Sequence, residues 1–179
     1  EDQLGLSNYA TIPAFATVRK KDRRTIKTPL VALEAPRSVI TEAYRSLRAN
    51  IRFATSEQKL KALAITSAVA GEGKTVTTLN LAIVLAEGGS SVVVIDADLR
   101  RSMVHEYMSA ASEPGLSEVL TGALPWAKAV QHSRVPKLDL LTSGARHDRP
   151  ATLLDSKEFA TLLEDLRKAY DYVLVDMPP

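Results

Sequence analysis

The chain has 179 residues, of which 45% are apolar and 25% charged, and this length allows one domain with a core of its own. The formal net charge of +2 is too small to indicate nucleic-acid binding, and the absence of cysteine excludes disulfides and thiolate metal sites. No apolar run approaches the roughly 20 residues of a membrane helix, and no signal peptide is recognisable.

The segment 1–36 is predicted to form an irregular lead-in. It begins with Glu rather than Met, from which we expect a fragment of a longer protein. Its basic stretch "TVRKKDRRTIKTP" at residues 17–29 is typical of a solvated linker, and equally of a segment that lies on a membrane surface. Both interpretations stay open.

The stretch "SVITEAYRSLRANIRFAT" predicts a helix over residues 38–55, because apolar residues recur in it at helical spacing after the start signals Pro36 and Ser38. Three charged residues lie on adjacent turns of this helix: Glu42, Arg45 and Arg48. From the residues alone, a solvated helix face is the simplest interpretation of this stripe.

From residue 61 onwards, apolar strands alternate with helices. The strands are predicted at "KALAITS", "SVVVID", "LDLLTS" and "YVLVD", and the helices at "KTVTTLNLAIVLAEGG" and "DSKEFATLLEDLRKAY". This alternation predicts an α/β fold, a mostly parallel sheet with helices on both faces. The chain stops directly after a predicted strand, so we expect the domain to be truncated at its C-terminus.

The stretch "SAVAGEGKT" at residues 67–75 joins the first predicted strand to a helix, the context of the phosphate-binding pattern G-x-x-x-x-G-K-[ST]. Ala68 stands where that pattern has its first glycine, but a small side chain fits there if φ is negative. The core G-x-G-K-T is intact. In it, Lys74 would reach the phosphates and the Thr75 hydroxyl would bind Mg²⁺. A glycine-rich turn that happens to precede Lys-Thr is the alternative.

Carboxylates follow two other predicted strands. Asp96 ends "SVVVID", Asp98 comes two residues later, and Asp176 ends "YVLVD". Since ligands bind at the carboxyl ends of strands in such sheets, the three segments are predicted to converge on one edge. Each aspartate alone could instead be a strand-end cap.

The stretches "AGEGKT", "VVVIDADLR" and "VLVDMPP" resemble the Walker A, Walker A′ and Walker B motifs of bacterial tyrosine kinases. "EAYRSLRANI" is similar to the family's E-x-x-R-x-x-R helix, and "PGLSEVLTG" and "LTSGARHDRPATLLDS" also resemble family segments. The lead-in "EDQLGLSNYATIPAF" resembles the segment after the second membrane helix in chain-length determinant proteins of capsule and exopolysaccharide export.

The resemblance implies a P-loop NTPase of the MinD/ParA-like superfamily, with a juxtamembrane linker over residues 1–36 and a kinase domain over residues 37–179. It implies a Mg-ATP-dependent tyrosine autokinase that phosphorylates neighbouring subunits and regulates polysaccharide synthesis and export. The expected location is the cytoplasmic face of the bacterial inner membrane. The expected partners are copies of the chain in a ring, with an octamer as one candidate size, a membrane activator domain, fused or separate, and a tyrosine phosphatase, but no nucleic acid.

Carried over by position, the family's roles fall on residues of all three motifs. The catalytic positions are Lys74, Asp96, Asp98 and Arg100, with one of the two aspartates as general base for the tyrosine hydroxyl. The ATP-binding positions are Ala70, Gly71, Glu72, Gly73, Lys74, Thr75 and Val76. The Mg²⁺ positions are Thr75, Asp96 and Asp176, and the self-association positions are Glu42, Arg45 and Arg48.

Two alternatives remain beside the kinase. A positioning ATPase of the ParA/MinD type shares the fold, but its loop carries a lysine where this sequence has Val69. A non-catalytic assembly module is the other, because the family's C-terminal tyrosine cluster is not seen. The tyrosines of this sequence are scattered: Tyr9, Tyr44, Tyr107, Tyr170 and Tyr172. An iron–sulfur scaffold ATPase is excluded by the lack of cysteine.

Overall fold

The computed structural model describes residues 7–14, 30–55 and 60–179. The chain forms two compact units, Glu1–Leu60 and Lys61–Pro179. The basic stretch 17–29 lies outside the described residues, and none of the helices in the described ranges is long and apolar enough to cross a membrane.

The first unit contains helices α1 (Val31–Glu34) and α2 (Val39–Thr55), and α2 confirms the predicted helix. Its start signal is also confirmed, because the hydroxyl of Ser38 accepts a hydrogen bond from the backbone N–H of Thr41 at 3.1 Å. The prediction of an irregular lead-in up to residue 36 was wrong at α1. A single helical turn shows no hydrophobic periodicity in the sequence, so nothing there predicted it.

A threonine hydroxyl of α2 binds the backbone of α1. The hydroxyl oxygen of Thr41 lies 3.2 Å from the carbonyl oxygen of Val31 and 2.8 Å from that of Ala35. Its one hydrogen is shared between these two acceptors, which also accept the backbone N–H groups of Ala35 at 2.8 Å and Ser38 at 2.9 Å, respectively. Thr41 is fully buried, so this bond is made away from water.

The second unit contains five strands and six helices among its described residues. In chain order they are β1 (Ala62–Ile65), α3 (Lys74–Glu87), β2 (Val92–Asp96), α4 (Val104–Met108), α5 (Leu116–Leu120), α6 (Trp126–Ala129), β3 (Gln131–His132), β4 (Leu138–Leu141), α7 (Pro150–Leu154), α8 (Lys157–Ala169) and β5 (Tyr172–Asp176).

The five strands form one sheet in the order β1-β5-β2-β4-β3. The four strands predicted from the sequence pair in parallel, which confirms the mostly parallel sheet. The fifth, β3, pairs antiparallel with β4 and was not predicted, because two residues are too short to show an alternating pattern.

Apolar side chains cover both faces of the central strands. On one face, Val93 and Ile95 of β2 and Val173 of β5 belong to a buried cluster that includes residues of α5 and α8. Val92 and Val94 point to the opposite face, because side chains alternate along a strand, and α3 packs on the sheet there. This two-sided burial explains why the strands are continuous apolar runs.

The strand register brings the functional segments to one edge. Asp96 at the end of β2 lies directly beside Asp176 at the end of β5, and Asp176 lies beside Ile65 at the end of β1. The backbone N–H of Ala97 donates to the carbonyl of Asp176 at 3.0 Å, and that of Met177 donates to the carbonyl of Ile65 at 2.9 Å. The loop after β1 and the aspartates after β2 and β5 therefore begin side by side.

Candidate active site

The loop between β1 and α3 has the backbone that a phosphate-binding loop needs. Gly71 and Gly73 both have φ of +88°, and a Cβ built on either would meet nothing within 4 Å. Glycine is therefore required there for its backbone conformation rather than for space. Gly73 is the N-cap of α3, so the first N–H groups of this helix face the loop and form a ready anion site.

The missing first glycine does not disturb this loop. Among the residues that the structure describes, only Ser109 and Lys137 combine a side chain with positive φ, so Ala68 adopts a backbone conformation open to any L-residue. Ala68 therefore meets the condition stated above, that a small side chain fits at this position when φ is not positive.

Lys74 and Asp98 form a buried ion pair. The Lys74 Nζ lies 3.0 Å from Asp98 Oδ2, and the two side chains are only 10% and 6% exposed. The other carboxylate oxygen of Asp98 accepts the backbone N–H of Arg101 at 3.1 Å. Asp98 is thus fixed at both oxygens, with the ammonium of the phosphate loop as its cation.

Asp176 holds the first turn of α3 from the neighbouring strand. Its Oδ2 accepts the hydroxyl of Thr75 at 2.6 Å, and its Oδ1 lies 3.3 Å from the hydroxyl of Thr78. Thr78 was missed by the sequence reasoning, although its place three residues after Thr75 puts both hydroxyls on one helix face. Burial raises the pKa of Asp176, against the lowering effects of these hydroxyls and of Lys74.

Asp96 is the most deeply buried of the three aspartates. Its side chain is fully enclosed, its Oδ2 accepts the backbone N–H of Val104 at 3.2 Å, and its Oδ1 has no hydrogen-bond partner among the described residues. Burial raises the pKa of Asp96 to about 7, helped by the nearby charges of Asp176 and Asp98 and opposed by the Val104 hydrogen bond.

The donor set suits a magnesium ion that keeps water and phosphate oxygens as ligands. The Thr75 hydroxyl gives its hydrogen to Asp176, which leaves its lone pairs available, and Asp96 Oδ1 is an unpartnered buried acceptor. Within residues 7–14, 30–55 and 60–179, no group of three or more His, Cys, Asp or Glu side chains is placed to hold a metal. Mg²⁺ seldom needs so many protein ligands, since it is usually bound by one or two of them together with waters and phosphate oxygens.

The structure brings together five of the residues predicted from the sequence: Lys74, Thr75, Asp96, Asp98 and Asp176. Arg100, two residues after Asp98, has an exposed side chain that makes no ion pair with any described residue. Glu42, Arg45 and Arg48 lie on α2 in the other unit. There Arg45 Nη1 lies 2.6 Å from Glu42 Oε1 and 2.9 Å from the Pro36 carbonyl oxygen.

Thr75→Val is expected to destabilise the nucleotide-free protein by about 1–3 kcal/mol, because it leaves a buried carboxylate oxygen of Asp176 without its shortest hydrogen bond. Thr75→Ser keeps the hydroxyl and should stay within about 1 kcal/mol of the wild type. Urea unfolding of the three proteins measures both differences. Equal stability of the Val and Ser variants would contradict the importance of this bond.

Comparison with known proteins gives concordant results. A family model described as an AAA domain matches residues 60–179. Tyrosine-protein kinase YwqD of Bacillus subtilis (strain 168) is 41% identical over 162 residues, which are 90% of this chain and 68% of YwqD. The solved kinase domain of the Escherichia coli tyrosine kinase ETK aligns with a TM-score of 0.88 and 38% identity, over 98% of this chain and 70% of that one.

The sheet, the loop and the carboxylates beside it define a P-loop NTPase. The chain belongs to the bacterial tyrosine-protein kinases and corresponds to their kinase domain, which confirms the resemblance seen in its three motifs. MinD of Pyrococcus horikoshii OT3, solved with Mg-ADP, shares the fold at a TM-score of 0.57 and 26% identity, over 65% of this chain and 48% of MinD. The chain spans only 25% of longer relatives such as the tyrosine-protein kinase Ptk of Acinetobacter johnsonii, at 33% identity.

Proposed function

We propose that this kinase domain transfers the γ-phosphoryl group of Mg-ATP to tyrosine hydroxyls of neighbouring copies of the protein. The observation that carries the proposal is a pair of contacts at the N-terminus of α3. Lys74 forms an ion pair with Asp98, and the Thr75 hydroxyl donates a hydrogen bond to Asp176. This arrangement offers a cation and helix N–H groups for the phosphates, and a carboxylate within reach of them.

The ATP phosphates would lie on the backbone N–H groups of residues 70–76, with Lys74 as their cation. Mg²⁺ would be held by the Thr75 hydroxyl and by the free oxygen of Asp96, while Asp176 keeps Thr75 oriented. When bound, the ion neutralises charge on the transferred phosphoryl group. Arg100 is proposed to approach the same group from its exposed loop.

Asp98 is proposed as the general base. If the ammonium of Lys74 moves to the phosphates, the Asp98 carboxylate loses its cation and becomes available to accept the proton of the tyrosine hydroxyl. The tyrosine oxygen then bonds to the γ-phosphorus, the bond from that phosphorus to the ADP oxygen breaks, and ADP leaves. In this exchange, nucleotide binding itself prepares the base.

The test is incubation of the purified protein with Mg-ATP, with phosphotyrosine and ADP both quantified. Phosphotyrosine formation is the expected result. ADP without phosphotyrosine would overturn the proposal in favour of a positioning ATPase. Nucleotide binding without any turnover would overturn it in favour of a non-catalytic assembly module.

Self-association is proposed to occur through α2, at Glu42, Arg45 and Arg48. Apart from the charged stripe, α2 exposes Val39 and Phe53, which are 77% and 85% exposed. These two residues are about four helical turns apart and share the Glu42 face of the helix. Large exposed apolar side chains beside charged ones are typical of a surface that another chain covers.

Replacing Glu42, Arg45 and Arg48 together by Ala is expected to lower the molar mass measured by light scattering and to reduce phosphorylation between copies. The matched control is Arg167→Ala, an exposed cation in the last turn of α8, away from helix α2. An unchanged molar mass in the triple variant, with the control also unchanged, would contradict the proposed interface.

The longer protein is proposed to act at the cytoplasmic face of the bacterial inner membrane, where it would regulate capsule or exopolysaccharide synthesis. The support is the resemblance of residues 1–15 to the segment that follows the second membrane helix of chain-length determinant proteins. A membrane activator domain, fused or separate, and a tyrosine phosphatase are the proposed partners. The kinase domain is proposed to occupy residues 37–179, with residues 1–36 as a juxtamembrane linker.

A further inference from the structure

The side chain of Glu72 makes contacts that the phosphate-loop pattern does not require. Glu72 lies between the two glycines with positive φ, and its Oε2 accepts the backbone N–H of Ala68 at 3.0 Å and that of Val69 at 3.3 Å. A second side chain acts nearby, because the Ser67 hydroxyl donates to the Val69 carbonyl at 2.8 Å. The side chains of Ser67 and Glu72 therefore bind the loop's own backbone at Ala68 and Val69.

A carboxylate in this loop is electrostatically unfavourable for the proposed ligand. Two like charges repel each other across a phosphate site, so Glu72 opposes ATP binding through its charge. Its two hydrogen bonds lie at residues 68 and 69, whereas the N–H groups proposed to hold phosphate begin at residue 70. The carboxylate thus binds two backbone donors that precede the proposed phosphate-binding residues 70–76. They lie in the half of the loop where Ala68 replaces the first glycine of the pattern.

We propose that Glu72 is a positioning residue for nucleotide binding, and this rests on the proposed nucleotide site. Its carboxylate links the segment 67–69 to the segment 71–73, so the loop is shaped before ATP arrives. Without the link, part of the loop would have to become ordered during binding, and that ordering weakens affinity. The effect is on nucleotide affinity rather than on phosphoryl transfer, because Glu72 touches neither of the carboxylates at the strand ends.

Two variants separate the hydrogen bonds of Glu72 from its charge. Glu72→Ala removes both, and Glu72→Gln keeps an oxygen that can accept the two N–H groups. Binding of Mg-ADP is measured by calorimetry, and autophosphorylation is measured against ATP concentration. The control for lost charge is Glu158→Ala, which removes an exposed carboxylate from the first turn of α8.

We expect Glu72→Ala to raise the Kd for Mg-ADP and the KM for ATP by about 3- to 10-fold, with kcat within about 2-fold of the wild type. Glu72→Gln should bind Mg-ADP at least as tightly as the wild type, since it keeps the acceptor and loses the repelling charge. The thermal midpoint without nucleotide should be the same in all variants, because the loop is exposed.

Wild-type affinity in Glu72→Ala overturns the proposal, and so does an equal loss in Glu72→Gln, which would make charge the relevant property. A wild-type protein that binds no Mg-ADP overturns it together with the nucleotide site. If the wild type binds Mg-ADP and the Ala variant binds it more weakly, the role of Glu72 stands even when no phosphotyrosine forms, and only the kinase proposal fails.

Discussion

Lys74→Met is expected to reduce autophosphorylation by at least about 100-fold and to destabilise the nucleotide-free protein at the same time. Activity falls because the proposed phosphate cation is removed. Stability falls because Asp98, only 6% exposed, loses an ammonium that lies 3.0 Å away. Removing one partner of a buried ion pair is expected to destabilise by about 3–5 kcal/mol.

The control for this variant is another lysine that pairs with an aspartate at a similar distance. Lys168 Nζ lies 3.1 Å from Asp165 Oδ1 on α8, but these side chains are 74% and 43% exposed. Lys168→Met should therefore change the free energy of unfolding by no more than about 0.5 kcal/mol and leave autophosphorylation intact. The two ion pairs have similar distances and differ strongly in burial.

A double variant separates the two effects of Lys74. In Lys74→Met/Asp98→Asn neither member of this pair leaves a buried charge behind, so most of the lost stability should return while activity stays absent. Chemical denaturation and phosphotyrosine quantification measure the two outcomes. If the double variant is as unstable as Lys74→Met, the Lys74–Asp98 pair is not what stabilises this edge of the sheet.

Local patterns were sufficient to predict much of this site. The glycine-rich loop, its lysine and its threonine lie within nine residues of sequence, and their order alone indicates a phosphate loop. Asp96 and Asp176 end apolar runs, and parallel strands end at a common edge, so their convergence followed from the fold class. Continuous apolar runs likewise predicted the central strands.

What could not be predicted depends on three-dimensional neighbours. The sequence does not reveal that Lys74 pairs with Asp98, because this bond spans the crossover between two strands. Nor does it reveal that Asp176 accepts the hydroxyls of Thr75 and Thr78, because these bonds join residues about a hundred positions apart. Short elements such as α1 and β3 carry no periodic signal. The kinase family, in contrast, was predictable from the sequence. Its motifs occur together in this chain, and no single one of them would have identified the family.

The burial of Asp96 is another feature that the sequence does not show, and it has a large energetic consequence. A strand-end aspartate is ordinarily exposed to solvent, whereas this one is fully enclosed and its pKa is raised to about 7. The folded protein therefore binds the proton of Asp96 more tightly than the unfolded chain, whose carboxyl group keeps its ordinary value of 3.8. Stability from this group is complete below the lower value and falls as pH rises towards the higher one.

Asp96→Asn is accordingly expected to increase stability and to decrease activity. Without nucleotide and magnesium, the Asn variant should exceed the wild type by roughly 2–4 kcal/mol at about pH 8, and by about 2 kcal/mol less at about pH 5. The Asn oxygen can still accept the N–H of Val104, so the packing of α4 is retained. Autophosphorylation should fall by about 100-fold or more, since the amide is a poor ligand for the proposed Mg²⁺.

Urea unfolding of both proteins across this pH range measures the predicted difference, and the phosphotyrosine assay measures activity. A variant that is less stable than the wild type at high pH, or a difference that does not change with pH, would contradict the assignment of a strained, ionised Asp96. A gain in stability with full activity would instead remove Asp96 from the proposed metal site. The expected combination has a simple physical origin: a carboxylate buried away from solvent is unfavourable without a cation, and becomes favourable when a cation joins it.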